Sequence, residues 1–195
     1  GLGDVYKRQV SHQKKGKPIT YERLADIFRE LEEAGAHNIN LVSPSHYVGA
    51  IIRALDIYKP KIPVVYNSGG YDTPENIRAL KDYADIFLMD LKYLSPDRAK
   101  KYSGAESYPE YAVSAVKQAY LQQPECVFKN GIMQKGVIVR HLLLPLGTRE
   151  AIAVFDWVRE NTPGAYFSIM SQYTPCGRAE QYPEINRRVT KREYE

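Results

Sequence analysis

Five short apolar runs recur along the chain: NINLV (38–42), IPVVYN (62–67), DIFLMDLKY (85–93), GVIVRHLLLP (136–145) and YFSIMSQY (166–173). Several lack the polar–apolar alternation of a strand with one wet face, so they predict strands covered on both faces. Stretches with helical spacing separate them. Leu24, Ile27, Phe28 and Leu31 make one apolar stripe, with Thr20 as its N-cap and Gly35 as its stop. Val48, Ile51, Ile52 and Leu55 make a weaker one. Thr73-Pro74, Ser95-Pro96 and Tyr108-Pro109 read as helix openings, because proline suits the first helical turn. Thr148 is expected to cap a helix that buries Ile152, Phe155 and Val158. Strand–helix units about 25–30 residues long predict an α/β fold with a parallel sheet, at a spacing that suits a barrel. A longer insert separates the third and fourth runs.

In such folds ligands bind at the C-terminal ends of the strands. The five runs deliver polar groups there. The first leads into SPSHY, with Ser43, Ser45 and His46; the second ends in Asn67, Ser68 and two glycines. The third ends in Asp90 and Lys92, whose spacing of two points both side chains the same way along a strand. The fourth carries Arg140 and His141, of which one must face outward, and the fifth ends in Ser171, Gln172 and Tyr173. Five polar strand ends on one rim predict a polar pocket. Asp90 and Lys92 also fit a structural ion pair, His46 a loop histidine bonded to backbone, and Gly69-Gly70 a tight turn. Asp90 and Asn67 suit an ammonium or hydroxyl, and Lys92 and Arg140 a carboxylate or phosphate. The residues alone leave two ligands open: an amino-acid-like zwitterion and a phosphorylated sugar.

The bulk numbers exclude several classes. A net charge of +4, from 27 basic and 23 acidic residues, is too small and scattered to predict nucleic-acid binding. No apolar run reaches the ~20 residues of a membrane helix. Two cysteines, Cys126 and Cys176, make neither a disulfide framework nor a thiolate metal site by spacing, and a reducing cytoplasm is the default expectation. GLGDVYKRQ (1–9) has two glycines and no hydrophobic period, and reads as a non-native leader to one domain spanning 10–195. Both ends read as those of a fragment.

The ordered set GAHNINLVSPSHY, IPVVYNSGGY, DIFLMDLKY, VIVRHLLLP and SIMSQYTPC resembles the radical S-adenosylmethionine proteins related to pyruvate formate-lyase activating enzyme. The resemblance covers roughly residues 10–195. It implies a partial (β/α)6 barrel, TIM-like, of which this chain carries five units and lacks the first strand. In the family, a loop after that strand holds three cysteines, CxxxCxxC, that ligate a 4Fe–4S cluster, and the cluster binds S-adenosylmethionine. The implied activity is reductive cleavage of that cofactor to a 5′-deoxyadenosyl radical, used to activate a glycyl-radical protein, with flavodoxin or ferredoxin as electron donor. The implied cofactor contacts are Ser43, Ser45, His46, Asn67, Ser68, Asp90, Lys92 and Arg140, with Gln172 and Tyr173 in the substrate pocket. SPSHY departs from the family's Gly-Gly-Glu segment, and Asn67 stands where an acid is expected. Cys126 and Cys176 do not match the cluster positions, no CxxxCxxC is present, and the chain itself is expected to be inactive. Two rivals stay open: a Lys92-dependent aldolase or isomerase, and a module that binds S-adenosylmethionine or a nucleoside without redox chemistry.

Overall fold

The computed structural model describes residues 17–195. The expectation of a non-native leader at 1–9 lies outside them. Helix α1 (Tyr21–Glu33) precedes strand β1 (Ile39–Val42), and α2 (Val48–Ile57) leads to β2 (Val64–Ser68). Helix α3 (Pro74–Ala79) leads to β3 (Ile86–Asp90). The long insert holds α4 (Pro96–Ser103), α5 (Tyr108–Gln122) and the short β4 (Val127–Lys129). Then come β5 (Ile132–Leu142), α6 (Thr148–Asn161), β6 (Tyr166–Met170) and a last turn of helix, α7 (Lys191–Tyr194).

Strands β1, β2, β3, β5 and β6 pair in that order, all parallel, with no reversal. Only β4 runs antiparallel, as a hairpin with the start of β5, among the described residues. Its turn is Asn130-Gly131, with φ of +52° and +77°. Positive φ at both central residues matches the twist of the flanking strands. The result is a mixed α/β fold on a mostly parallel six-stranded sheet.

The local signals act as expected at most helix starts. Thr20, Thr73 and Ser95 each accept a backbone N–H with the side chain, and Pro74 and Pro96 follow two of these caps. Gly35 ends α1 at φ +80°. Thr148 departs from expectation. Gly147 holds the cap position, and the Thr148 hydroxyl donates to the Glu193 carbonyl at 3.0 Å. The buried stripe of α6 is also shifted. Ala151, Val154 and Val158 are buried, while Ile152 and Phe155 are 55% and 45% exposed. A small residue, Ala151, faces the sheet, and Phe155 instead meets Phe167 edge-on at 5.5 Å between ring centroids. Leu31 of α1 is likewise exposed, and Ala25 and Phe28 do the packing.

The two faces of the sheet differ. Tyr66, Phe87, Met89, Val137 and Val139 share one face and are buried against Ile77, Leu80, Ala115, Val116, Val154 and Val158 of the helices. Ile39 and Val64 continue this face against α1 and α2. The opposite face carries Val65, Asn67, Leu88, Asp90, Ile138, Arg140, Leu142, Ser168 and Met170. Its lower residue Val65 is buried, but Leu88, Ile138, Leu142 and Met170 are half-buried. The expectation of strands covered on both faces therefore holds for β2, whose five residues are all buried, but not for the C-terminal parts of β3, β5 and β6. The apolar runs are continuous because half of each run faces helices, while the other half lines an open surface at the C-terminal ends.

Candidate functional site

A chain of polar contacts crosses the open face. Asn67 Nδ2 donates to Asn40 Oδ1 at 3.2 Å, joining β2 to β1. Arg140 Nη2 donates to Asn67 Oδ1 at 2.8 Å, reaching past β3. Arg140 Nε and Nη2 both meet Asp90 Oδ1, at 2.8 and 2.7 Å. Lys92 Nζ lies 3.9 Å from Asp90 Oδ2. Residues opposed in a parallel register share a face, and the pairing of Asp90 with Arg140 brings this acid and base together. Arg140 is thus the member of the Arg140-His141 pair on the open face. His141 points the other way and is buried, with Nδ1 2.8 Å from the Leu91 carbonyl. Burial pushes the His141 imidazole below its ordinary pKa, so it donates as the neutral ring.

Lys92 lies just beyond the end of β3, on a loop held at several points. Leu91 N–H donates to the Arg140 carbonyl at 2.8 Å. Lys92 N–H donates to the Tyr108 hydroxyl at 3.1 Å, and that hydroxyl lies 2.8 Å from the Asp90 carbonyl and 3.0 Å from the Gly69 carbonyl. Leu94 and Ser95 N–H both donate to Glu150 Oε1, at 2.6 and 3.0 Å. Burial raises the Tyr108 phenol, so it stays a neutral hydroxyl. A site mounted on a loop fixed this way holds its geometry. Gly70 explains the paired glycines: at φ +87° a side chain there would overlap the Asp90 carbonyl and crowd the Tyr108 hydroxyl. The tight turn after β2 lets the β2 and β3 ends approach closely.

The polar chain opens into a cleft of about 420 Å³. Asp90, Lys92 and Arg140 line it together with apolar Leu142, Leu144 and Met170, with Gln172, Tyr173, Thr174 and Cys176 of the segment after β6, and with Tyr93. This volume lies in the range of small-molecule sites, and the lining mixes apolar side chains with convergent charged and polar ones. Of the residues expected from sequence, the structure brings Asp90, Lys92, Arg140, Gln172 and Tyr173 together here. Asn67 stands behind Arg140.

Ser45 and Ser68 are engaged elsewhere. Both donate to Asp72 Oδ2, at 2.7 and 3.0 Å, and Tyr66 Oη donates to the same oxygen at 2.6 Å. Asn76 Nδ2 donates to Asp72 Oδ1 at 3.1 Å. This carboxylate is buried and accepts from four side chains, locking the β1 and β2 ends to α3. Burial, then the hydrogen bond to Asp72, raises the Tyr66 phenol well above its usual range. Ser43 and His46 are exposed beyond β1 and line no part of the cleft. Ser43 holds φ +55° and donates its N–H to the Asn67 carbonyl at 2.9 Å. Asp72, Tyr108 and Glu150 carry the site's support, and sequence reasoning missed all three. Tyr108 was legible only as a helix start. Nothing in the local pattern sets Asp72 or Glu150 apart from surface acids.

The two cysteines lie apart in the fold. Cys126 Sγ sits 3.2 Å from the Gly164 carbonyl beside the β4–β5 hairpin, and Cys176 is exposed on the cleft wall. Among the described residues no group of three or more His, Cys, Asp or Glu converges as a metal site. These residues therefore do not fit an iron–sulfur cluster, which needs several thiolates at one place. Among the described residues no helix is long and apolar enough to cross a membrane.

The chain is similar to the uncharacterized protein MJ0674 of Methanocaldococcus jannaschii. The two are 29% identical over 181 residues, which cover 91% of this chain and 49% of that protein. The chain thus spans about half the length of the curated relative it matches. No family model matches the chain.

Proposed function

We propose that this chain is the S-adenosylmethionine-binding part of a radical S-adenosylmethionine protein of the activating-enzyme type, built on a partial (β/α) barrel. The observation that carries the reading is the Asn67–Arg140–Asp90–Lys92 chain at the C-terminal ends of the strands, opening into a cleft of about 420 Å³. The consecutive order of β1, β2, β3, β5 and β6 supports the barrel, since a doubly wound sheet reverses its order at the ligand crevice. Among the described residues no strand pairs with the outer edge of β1, which leaves room for a further parallel strand.

An amino-acid end carries one charge of each sign. Lys92, with its side chain about half exposed at the cleft, meets the carboxylate. Asp90 offers Oδ2, the oxygen that Arg140 leaves open, to the ammonium or to ribose hydroxyls. Arg140 works as the positioning residue: two contacts on Asp90 Oδ1 and one on Asn67 hold the carboxylate in place. Leu142, Leu144 and Met170 give the cofactor's less polar body an apolar lining. The whole-protein activity we propose is reductive cleavage of S-adenosylmethionine in the service of a glycyl-radical protein. Its cluster would need thiolates besides Cys126 and Cys176, the two cysteines of this chain.

Equilibrium dialysis of the 195-residue chain against S-adenosylmethionine tests this reading. Saturable binding, weakened about tenfold by Lys92→Gln through loss of a charge-assisted contact, is the expected result. No reductive cleavage is expected from the chain alone. Absence of binding, or binding that ignores Lys92, contradicts the proposal. Trapping of a carbonyl compound on Lys92 by borohydride would instead establish Schiff-base chemistry.

A further inference from the structure

A second cleft, of about 360 Å³, lies beside the first and shares a wall with it. Tyr93, Leu144, Tyr173 and Cys176 line both. Its other residues come from the end of α4 and from the segment after β6. Three of them are cations, Lys100, Lys101 and Arg178, and no carboxylate is among the lining residues.

The cations differ in their commitments. Lys100 pairs with Glu106 at 2.9 Å and Lys101 with Glu184 at 2.6 Å. Both also sit in the last turn of α4, where positive charge offsets the helix dipole. Arg178 has neither role: it makes no ion pair and no side-chain hydrogen bond among the described residues. The aromatic side of the cleft is held firmly. Tyr102 donates to Glu184 at 3.0 Å, lies under the Arg98 guanidinium at 5.4 Å, and meets Tyr182 edge-on at 5.5 Å. An exposed guanidinium without an ion-pair partner lines the same cleft as the Tyr102 and Tyr182 rings, a set that suits a planar anion with an apolar body.

We propose that the second cleft is a subsite for a carboxylate or phosphate group carried on an aromatic or apolar body, bound by Arg178 with support from Lys100 and Lys101. Its occupant lies against the ligand of the first cleft across the Tyr93–Tyr173 wall. The second cleft's own residues define this subsite, whatever the first cleft binds.

The test is a titration of the ¹⁵N-labelled 195-residue chain with phenyl phosphate, benzoate and the neutral benzamide, followed by amide shifts. One or both anions should bind saturably, more tightly than benzamide, and move Gly104, Gly177 and Ala179. The tighter anion names the preferred group. Arg178→Gln should weaken that anion about tenfold, the loss of one charge-assisted contact. Lys101→Gln should weaken it less, because Glu184 already occupies that ammonium. Benzamide binding as tightly as both anions overturns the proposal. So do shifts that Arg178→Gln leaves unchanged, or no saturable shift from either anion. S-Adenosylmethionine, added separately, should move Asp90 and Arg140, so failure at one cleft remains distinguishable from failure at the other.

Discussion

Removing the Asp72 carboxylate should destabilise the protein more than removing any residue of the cleft wall. Asp72 accepts from Ser45, Tyr66, Ser68 and Asn76. Tyr66 and Ser68 are almost fully buried, so their hydroxyls have no water to turn to once the acceptor is gone. An orphaned buried donor costs roughly 1–3 kcal/mol. Ser45 and Asn76 are half-buried and recover most of their loss from solvent. Two orphans at mid-range predict about 4 kcal/mol for Asp72→Ala, part of it offset by no longer burying a charge. Asp72→Asn keeps one acceptor oxygen but turns an amide toward the donors, and should cost about 2 kcal/mol. Urea unfolding at neutral pH, with equal m-values for wild type and variants, measures both. A loss under ~1 kcal/mol for Asp72→Ala would refute the reasoning, because four accepted hydrogen bonds would then contribute almost nothing.

Gly70→Ala should cost about 3–5 kcal/mol, from the positive φ and the overlap with the Asp90 carbonyl; a near-neutral melting shift would show that the β2–β3 turn can relax. Tyr108→Phe should cost about 2 kcal/mol and loosen the Lys92 loop, seen as faster amide exchange at Lys92; unchanged exchange would mean the hydroxyl does not hold the loop. His141 predicts a pH dependence. Its folded pKa lies below the ordinary value of 6.5, so the unfolded chain binds its proton first as pH falls. Stability is therefore full above about pH 6.5 and declines below it, until the folded imidazole also charges. His141→Gln should flatten that part of the curve in urea midpoints, and an unaltered slope would assign it to other groups.

The sheet was legible because strand and helix periods are both local. Five apolar runs fell on five parallel strands, and Thr20, Thr73 and Ser95 capped helices as side chains of their type do. The β4–β5 hairpin was also within reach. Asn130-Gly131 is the strongest short-range turn signal in the chain, and the longer insert around it was read without it. The α6 stripe misled because Ile152 and Ala151 are adjacent in sequence, and which one meets the sheet depends on how closely helix and sheet approach. The pairing of Asp90 with Arg140 follows from register, which the apolar pattern sets. The diversion of Ser45 and Ser68 to Asp72 does not, since it depends on a turn that brings residue 72 back over β2. Hydroxyls at strand ends look alike in sequence whether they face a ligand or a buried acid.

The most direct test of the central claim compares S-adenosylmethionine with 5′-methylthioadenosine, which keeps the nucleoside and lacks the amino-acid end. Amide shifts of the ¹⁵N-labelled chain should saturate with S-adenosylmethionine at Asn67, Asp90, Lys92 and Arg140. 5′-Methylthioadenosine should bind at least about tenfold more weakly, as expected when a charge-assisted contact is lost. Equal affinity for the two, or shifts confined to residues away from this polar chain, would contradict the assignment of the cleft to a zwitterionic cofactor.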